Sequence, residues 1–265
     1  MASCEVPLFD SLSHPTITGD WFGRGIDASF ETLATNLAAA GYARACAVGL
    51  AGHEGYGHAT FAERCGAFPS LVPIAGVAPK LPPDIDVELD EVAGLGFPGI
   101  KIHPRLSGCS YGSPELAATL SAAAHRRLVV FLCTYFHAPT STYPTADPLF
   151  ELTRLLRGVP ELRLVLVHGG AVDVLRWAQL ACHSPNILID ISYTMMRYQG
   201  SSIDLDLKWL FQRLSVHTCF GTDHPEWGHA EVRNRFESLA QGADAESIQR
   251  IAGRNLAQIL DVDWA

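Results

Sequence analysis

The sequence is poor in basic residues and has no block of like charge. Lysine and arginine together number 19 against 28 aspartates and glutamates, so the formal net charge is −9 at pH 7. Nucleic acids and anionic membrane surfaces attract proteins mainly through clustered Lys and Arg. We therefore expect neither as a partner, and small molecules remain the expected ligands. No apolar run approaches the roughly 18 residues of a membrane span.

The cysteines form no metal-type or redox-type pair. There are seven, an odd number, and no two of them are spaced as Cys-x-x-Cys. Scattered, unpaired cysteines are typical of a reducing compartment, where most of them pack as small apolar residues. The first fifteen residues include the charged Glu5 and lack the apolar core of an export signal. Together these features predict a cytoplasmic protein.

No linker divides the chain. Its 265 residues are 48% hydrophobic and 18% charged, and no Pro/Gly/Ser-rich segment interrupts them. A chain of this length and composition can bury a large core without disulfides. It is also close to the roughly 250 residues of an eight-stranded α/β barrel. We therefore expect one domain over residues 1–265.

Short apolar runs alternate with helix-like segments from end to end. Unbroken apolar runs are typical of strands that are covered on both faces, as in parallel sheets. Eight strands are predicted, at Val6–Asp10, Arg44–Val48, Leu71–Val77, Gly99–His103, Leu128–Cys133, Leu162–His168, Ile187–Ser192 and Val216–Gly221. The segments between them include predicted helices at Ser113–Arg126, Pro148–Arg157, Ala171–Cys182, Ala230–Gln241 and Ala245–Leu260. The pattern favours an α/β fold, a distorted (β/α)8 barrel of the TIM type, over an open sheet.

In such barrels the active site is built at the carboxyl ends of the strands. Polar side chains concentrate at those ends in this sequence. They include His14, Lys101, His103, Cys133, Tyr135, His137, His168, Asp223 and His224. A single histidine at a strand end is usually a packing residue, but several that converge on one barrel mouth indicate a site.

Six segments in register resemble the amidohydrolase superfamily, specifically its amidohydrolase-2 branch. They are FDSLSHP (Phe9–Pro15), GIKIHP (Gly99–Pro104), LVLVHGG (Leu164–Gly170), ILIDIS (Ile187–Ser192), GTDHP (Gly221–Pro225) and IAGRNLAQIL (Ile251–Leu260). The resemblance implies a barrel whose first strand supplies an Asp-x-His-x-His motif. It also implies a His on each of strands five and six and an Asp on strand eight, arranged around one or two divalent metals.

The match to that ligand set is partial. Asp10 begins the first motif and His14 ends it, but Leu12 stands where the first metal-binding histidine is expected. Cys133 stands near the strand-five histidine, whereas His168 and Asp223 occupy the expected positions. Two outcomes stay open. Either a divalent metal, zinc above all, is held by His14, Cys133, His168 and Asp223, or the site has lost its metal.

Both outcomes predict hydrolysis of an amide, ester or lactone. With metal, a bound water is activated and Asp223 accepts its proton. Without metal, which the resemblance permits for lactones, Asp223 acts as general base, with His168 and His14 as the other catalytic residues. His168, Lys101 and His103 would then polarise the carbonyl oxygen in place of the metal.

A basic group of residues at the predicted mouth favours an anionic substrate, most simply a carboxylate. The predicted substrate-binding residues are Lys101, His103, Arg105, Tyr135, His137, Arg197, His224 and Trp227. Arg105 and Arg197 could equally be solvated loop charges, and Tyr135 and Trp227 ordinary packing aromatics. Two further hypotheses remain, a metal-dependent decarboxylase and a non-catalytic binding protein derived from an amidohydrolase. A homodimer is expected only because barrels of this kind often pair.

Overall fold

Eight parallel strands form a barrel whose order follows the sequence. The structure, a computed structural model, describes residues 6–137, 139 and 143–264. The strands hydrogen-bond in the order β1 to β8. They are β1 (Leu8–Ser13), β2 (Tyr42–Val48), β3 (Leu71–Val77), β4 (Gly99–Ile102), β5 (Val129–Cys133), β6 (Leu164–Val167), β7 (Ile187–Asp190) and β8 (Thr218–Cys219). The predicted TIM-type barrel in a single domain is confirmed.

The barrel closes between β1 and the segment that follows β8. Because β8 has only two residues, closure depends on hydrogen bonds beyond its end. Ser11 N donates to Phe220 O at 3.0 Å, and Asp223 N donates to Leu12 O at 2.8 Å. A parallel bridge then joins Ser13 to His224. The carboxyl end of β8 is thus held directly against β1.

Helices cover the strands on the outside. They are α1 (Phe30–Ala39), α2 (His58–Gly66), α3 (Asp84–Gly94), α4 (Pro104–Ser107), α5 (Pro114–His125), α6 (Pro148–Leu156), α7 (Val174–Cys182), α8 (Thr194–Arg197), α9 (Ile203–Arg213), α10 (His229–Leu239), α11 (Ala245–Gln249) and α12 (Asn255–Leu260). Several begin as their sequences indicate. Ser113 caps α5 by accepting from Leu116 N, with Pro114 in the first turn. None of the helices in the described residues has the length and apolar character needed to cross a membrane.

Several predicted boundaries differ from the structure, and three of the differences have a clear physical cause. The first strand reaches Ser13 rather than Asp10, because the serine hydroxyls are satisfied inside the barrel by aspartates. The helix expected from Ala171 begins at Val174, since the segment from Gly169 to Ala171 has positive φ. The helix expected over Ala245–Leu260 is split by a wider turn, where Gly253 packs so closely on Trp264 that a Cβ would lie 2.1 Å from its Nε1.

Apolar side chains form two layers of core. The larger layer fills the space between strands and helices. The smaller one fills the barrel interior and includes Phe9, Leu12 and Phe131, all fully buried. Leu256 and Leu260 of α12 close its amino-terminal end. The carboxyl end is therefore the open one.

Asp10 ties β1 to the start of the loop after β8. Its carboxylate, fully buried, accepts hydrogen bonds from Leu12 N (2.9 Å), Ser13 Oγ (2.7 Å), Thr222 N (2.8 Å) and Thr222 Oγ1 (2.6 Å). His229 Nε2 lies 3.3 Å from Asp10 Oδ2. Burial raises the pKa of Asp10, but His229 and the hydroxyl donors outweigh it, so the net pKa is lowered. A charged Asp10 thus holds Thr222, the residue before Asp223, in place.

Asp10→Ala should be strongly destabilising. The substitution leaves two backbone amides, two hydroxyls and His229 without their buried acceptor, a class of loss that costs about 3–5 kcal/mol. Urea denaturation measures the change in the free energy of unfolding. Asp90→Ala, which removes an exposed partner of Arg126, is the control and should have little effect. Equal stabilities of the two variants would contradict the role given to Asp10.

Candidate active site

A cavity of about 410 Å³ opens at the carboxyl ends of the strands. Its volume suits a small molecule. Thirteen residues line it, Lys101 from within β4 and the others from the segments after β1, β2, β4, β5, β6, β7 and β8: His14, Trp21, Phe22, Leu50, Lys101, His103, Arg105, Leu106, Tyr135, His168, Tyr193, Asp223 and Glu226. The cavity therefore stands where the fold class predicts chemistry.

Backbone strain is concentrated around this cavity. Seven described residues other than glycine have positive φ, and four of them line it: Phe22 (52°), His168 (69°), Tyr193 (58°) and Asp223 (56°). Such conformations cost of order 1–3 kcal/mol each and persist where the surroundings impose them, often at functional sites. This clustering favours a working site over a scaffold that has lost its function.

Asp223 follows β8 and is 8% exposed. Burial raises its pKa from 3.8 to about 7, although Lys101 opposes the shift; Asp190 and Glu226 add to it. Near neutral pH the carboxyl group can therefore both take up and release a proton. That is the property of a general base working at physiological pH.

His14 presents a lone pair beside Asp223. Its Nδ1 lies 2.9 Å from the carbonyl oxygen of Val48, which can only accept, so Nδ1 carries the proton. Nε2 is left as an acceptor, 3.6 Å from Asp223 Oδ1. Burial and the nearby charge of Lys101 hold the pKa of His14 well below its usual range, so the ring is neutral. Two acceptors thus face one another across a gap that a water molecule could bridge.

Lys101 brings a buried cation to the same place. It projects from β4, is 2% exposed, and its Nζ has no hydrogen-bond partner among the described residues. Burial lowers its pKa, while the acidic Cys133 and Asp223 act in the opposite direction. A buried amine without a partner is costly unless a ligand completes it. The most direct partner is an oxygen of a bound substrate.

Two further donors lie after β4. His103 Nδ1 accepts from Leu106 N at 3.4 Å, so the proton of the neutral ring is on Nε2. Burial and the charges of Lys101 and Arg105 lower the pKa of His103 to about 3, which keeps the ring neutral. The Arg105 guanidinium stacks on Tyr135, with Cζ 4.8 Å from the ring centroid. The β4 side of the cavity therefore offers donors.

His168 lies beside Cys133. Its Nδ1 lies 3.2 Å from both the carbonyl oxygen and the hydroxyl of Ser192, which places a proton on Nδ1 and leaves Nε2 as the ring nitrogen that can interact with Cys133. Burial raises the pKa of Cys133, but the hydrogen bond to His168 and the charges of His168 and Lys101 bring it down to about 7. The role at a substrate oxyanion that the sequence suggested for His168 stays a prediction.

Asp190 holds this arrangement together. Its carboxylate accepts from Ser11 Oγ (2.7 Å), His168 N (3.2 Å), Ser192 N (3.1 Å) and Ser192 Oγ. These bonds join β1, β6 and β7 beneath the cavity. The strained backbone of His168 is thereby fixed from below.

The residues at the expected ligand positions do not fit a metal. Leu12 packs in the barrel interior, and Cys133 is fully buried against His168. The Lys101 ammonium lies among the remaining donors, where it would repel a cation. Within residues 6–137, 139 and 143–264, no three His, Cys, Asp or Glu side chains are placed to hold an ion. The donor set thus departs from the metal-binding pattern of the family.

The structure brings seven of the predicted site residues to the cavity: His14, Lys101, His103, Arg105, Tyr135, His168 and Asp223. It places five elsewhere: Cys133, His137, Arg197, His224 and Trp227. Cys133 lies beneath the cavity, and Arg197 is exposed at the end of α8. His224 turns inward to within 5.3 Å of the His229 ring, and Trp227 packs on the outer core. Position in the sequence alone could not show these directions.

His137 lines a different cavity. This second cavity, about 650 Å³, also contains Tyr111, Phe136 and Glu151 and shares Arg105 with the first. It is larger, but its lining includes neither Lys101 nor Asp223 nor any of the strained residues. We therefore take the smaller cavity as the candidate active site.

Four polar or aromatic lining residues were not predicted as site residues: Trp21, Phe22, Tyr193 and Glu226. Trp21 stacks on His14, with ring centroids 5.8 Å apart and planes 19° apart. Glu226 accepts from Trp21 Nε1 at 2.8 Å. In the sequence, the adjacent aromatic residues Trp21 and Phe22 after β1 and the acidic Glu226 after GTDHP could have indicated these positions.

Solved structures with the same fold include an uncharacterized TIM-barrel protein from Bordetella bronchiseptica, with TM-score 0.78, 18% identity, 96% of this chain covered and 98% of that chain. A protein from Pseudomonas putida assigned as 2-pyrone-4,6-dicarboxylic acid hydrolase has a TM-score of 0.68 and 17% identity, and the match covers 97% of this chain and 98% of that chain. The 5-carboxyvanillate decarboxylase of Sphingomonas paucimobilis has a TM-score of 0.65 and 15% identity, and the match covers 97% of this chain and 100% of that chain. At these identities the likeness shows the fold alone. No curated protein sequence matches the chain.

Fold and site together define a TIM-type barrel with a polar cavity at the carboxyl ends of its strands. The chain belongs to the amidohydrolase family, in its amidohydrolase-2 branch, and matches it over residues 14–262. Members of the family are enzymes and typically bind a divalent metal.

The raised pKa of Asp223 predicts how stability depends on pH. The folded protein holds this proton up to about pH 7, while the unfolded chain releases it near pH 3.8. The wild type should therefore lose stability as the pH rises between these values. Asp223→Asn should lack this loss and gain about 1–4 kcal/mol over the wild type above pH 7. Urea denaturation at pH 5 and pH 8 tests this; a difference that does not change with pH would contradict it.

The donor set predicts weak metal binding. Freshly purified protein should contain far less than one equivalent of zinc, manganese or iron by elemental analysis. Incubation with a chelator should leave its melting temperature unchanged, because a donor set that does not fit a metal provides no bound ion to stabilise the fold. One tightly held equivalent, whose removal lowers the melting temperature, would show that the ligands rearrange to bind metal.

Proposed function

We propose that this chain hydrolyses an ester, lactone or amide of a small carboxylate-bearing molecule, with Asp223 as the general base. The observation that carries the proposal is the placement of Lys101 in the same cavity as a carboxyl group whose pKa is about 7. The Lys101 ammonium is buried and has no hydrogen-bond partner in the part of the chain that the structure describes. The Lys101 ammonium can stabilise a developing negative charge, and the Asp223 carboxyl group can accept and return a proton.

The attacking water would lie between Asp223 and His14. Both offer lone pairs, since Val48 O keeps the His14 proton on Nδ1. A water that donates to both acceptors turns its own lone pair toward the substrate. As the oxygen bonds to the carbonyl carbon, its proton passes to Asp223. His14 orients this water and remains neutral.

Lys101 would take the charge that builds up on the carbonyl oxygen. In the tetrahedral intermediate this oxygen is an alkoxide, and an ammonium buried beside it stabilises it far more than bulk water would. His103 Nε2–H is a second donor on the same side. This assignment gives Lys101 the electrostatic role that a metal has in other members of the family.

Collapse of the intermediate completes the reaction. The carbonyl re-forms, the bond to the leaving oxygen or nitrogen breaks, and Asp223 returns its proton to the leaving group. Arg105 would bind the substrate carboxylate, because its stacking on Tyr135 orients the planar guanidinium at the cavity edge. The net reaction adds one water molecule across the cleaved ester, lactone or amide bond.

Two alternatives are weaker. The solved structures of the same fold include decarboxylases as well as hydrolases, but no feature of this cavity favours loss of carbon dioxide over addition of water. A binding protein without activity would have no use for strained backbone at His168 and Asp223.

A substrate screen tests the proposal. We expect proton release in a pH-stat, without carbon dioxide, from some member of a panel of carboxylate-bearing lactones, aryl esters and anilides. The activity should rise with pH through a midpoint near 7, as Asp223 ionises. Asp223→Asn should lower kcat by at least about a thousandfold. Full activity in Asp223→Asn, or carbon dioxide as product, would refute the mechanism.

Lys101 and Arg105 should affect different kinetic constants. Lys101→Met removes a contact that strengthens in the transition state, so kcat should fall by about a hundredfold or more. Arg105→Met removes a contact made equally in the ground state, so KM should rise by about tenfold with kcat little changed. Steady-state kinetics separate these results. If Lys101→Met mainly raises KM and Arg105→Met mainly lowers kcat, the roles given to the two residues must be exchanged.

A further inference from the structure

We propose that Glu226 determines substrate choice by accepting a hydrogen bond from a hydroxyl or ammonium group of the substrate, at the end remote from its carboxylate. It thereby disfavours a second carboxylate at that end. The inference rests on the proposed function for the placement of the first carboxylate at Arg105. It goes beyond that function because it states what else the substrate carries.

Glu226 is held rigidly at the cavity wall. Its Oε1 accepts from Trp21 Nε1 at 2.8 Å and from Arg24 Nη1. Its backbone N donates to Asp223 O at 2.9 Å, which fixes the turn after β8. Among the described residues, no hydrogen bond reaches its Oε2. A lining carboxylate with one oxygen committed and one free is suited to bind a donor group of a ligand.

The two ends of the cavity have opposite character. Lys101, His103 and Arg105 come from β4 and the segment after it, and all three offer donors. Glu226 comes after β8, four strands away and therefore across an eight-stranded barrel. Arg24 pairs with Glu226 but does not line the cavity. A substrate with a carboxylate should therefore bind in one orientation, with the anion toward β4.

Aromatic side chains shape the space between these ends. Trp21, Phe22, Tyr135 and Tyr193 line the cavity, and the Tyr135 and Tyr193 rings meet edge to face at 5.3 Å. Flat faces of this kind favour a planar ring in the ligand. Two meta-substituted benzoates of similar size then serve as probes: 3-(aminomethyl)benzoate carries a cation on its second arm, and isophthalate carries an anion.

Calorimetric titration of the wild type with each probe tests the inference without any turnover. We expect 3-(aminomethyl)benzoate to bind at least about tenfold more tightly than isophthalate. Glu226→Gln, which keeps the size of the side chain and an acceptor for Trp21, should bring the two affinities within about threefold of one another. Arg105→Met should weaken both probes together.

Glu54→Gln is the matched control, because Glu54 is exposed in the loop after β2 and does not line the cavity. It removes the same charge from the same end of the barrel and should keep the tenfold preference. Equal binding of the probes by the wild type, a preference unchanged in Glu226→Gln, or binding of both weaker than about 10 mM would each overturn the inference. If the preference is found but no panel compound is hydrolysed, the proposed reaction fails while the role of Glu226 stands.

Discussion

The buried ammonium of Lys101 is the constraint on which the chemistry of this barrel depends. A cation 2% exposed and without a protein partner among the described residues is an expensive feature to keep. It raises the affinity of the cavity for negatively charged oxygen, opposes the binding of a metal, and lowers the pKa of His14 and Cys133 beside it. Burial nevertheless keeps the pKa of Asp223 near 7, which leaves a base opposite the cation. The site is thus built around a buried ammonium that forms no hydrogen bond within the described residues.

Backbone carbonyls decide what each histidine can do. Val48 O places the proton of His14 on Nδ1, and Ser192 O does the same for His168, so both rings turn lone pairs toward the centre. In His103 a backbone amide occupies Nδ1 instead, and the proton points outward from Nε2. The free nitrogen of His14 and of His168 is therefore an acceptor, whereas that of His103 is a donor. Neither the acceptors nor the donor could exchange roles without a change in the main chain around them.

Two buried aspartates support this arrangement from below. Asp10 joins β1 to Thr222, and Asp190 joins β1, β6 and β7 through serine hydroxyls and amides. Both sit next in space to strained residues, Asp223 in one case and His168 in the other. The strain can persist because these hydrogen bonds over-determine the local backbone. The FDSLSHP and ILIDIS motifs of β1 and β7 therefore act largely as structural supports of the site.

The amino-acid sequence alone determined the fold and part of the site. Apolar runs at regular spacing specify parallel strands, because only such strands are covered on both faces, and the strand-end rule then selects Asp223, His168, His14 and Lys101. The directions of the side chains were decided by the tertiary structure. His224 and Cys133 stand at strand ends yet turn away from the cavity, because the barrel closure and His168 engage them. Trp21 and Glu226, 205 positions apart, meet only when the loops after β1 and β8 converge, since hydrogen bonds between distant loops leave no periodic trace in the sequence.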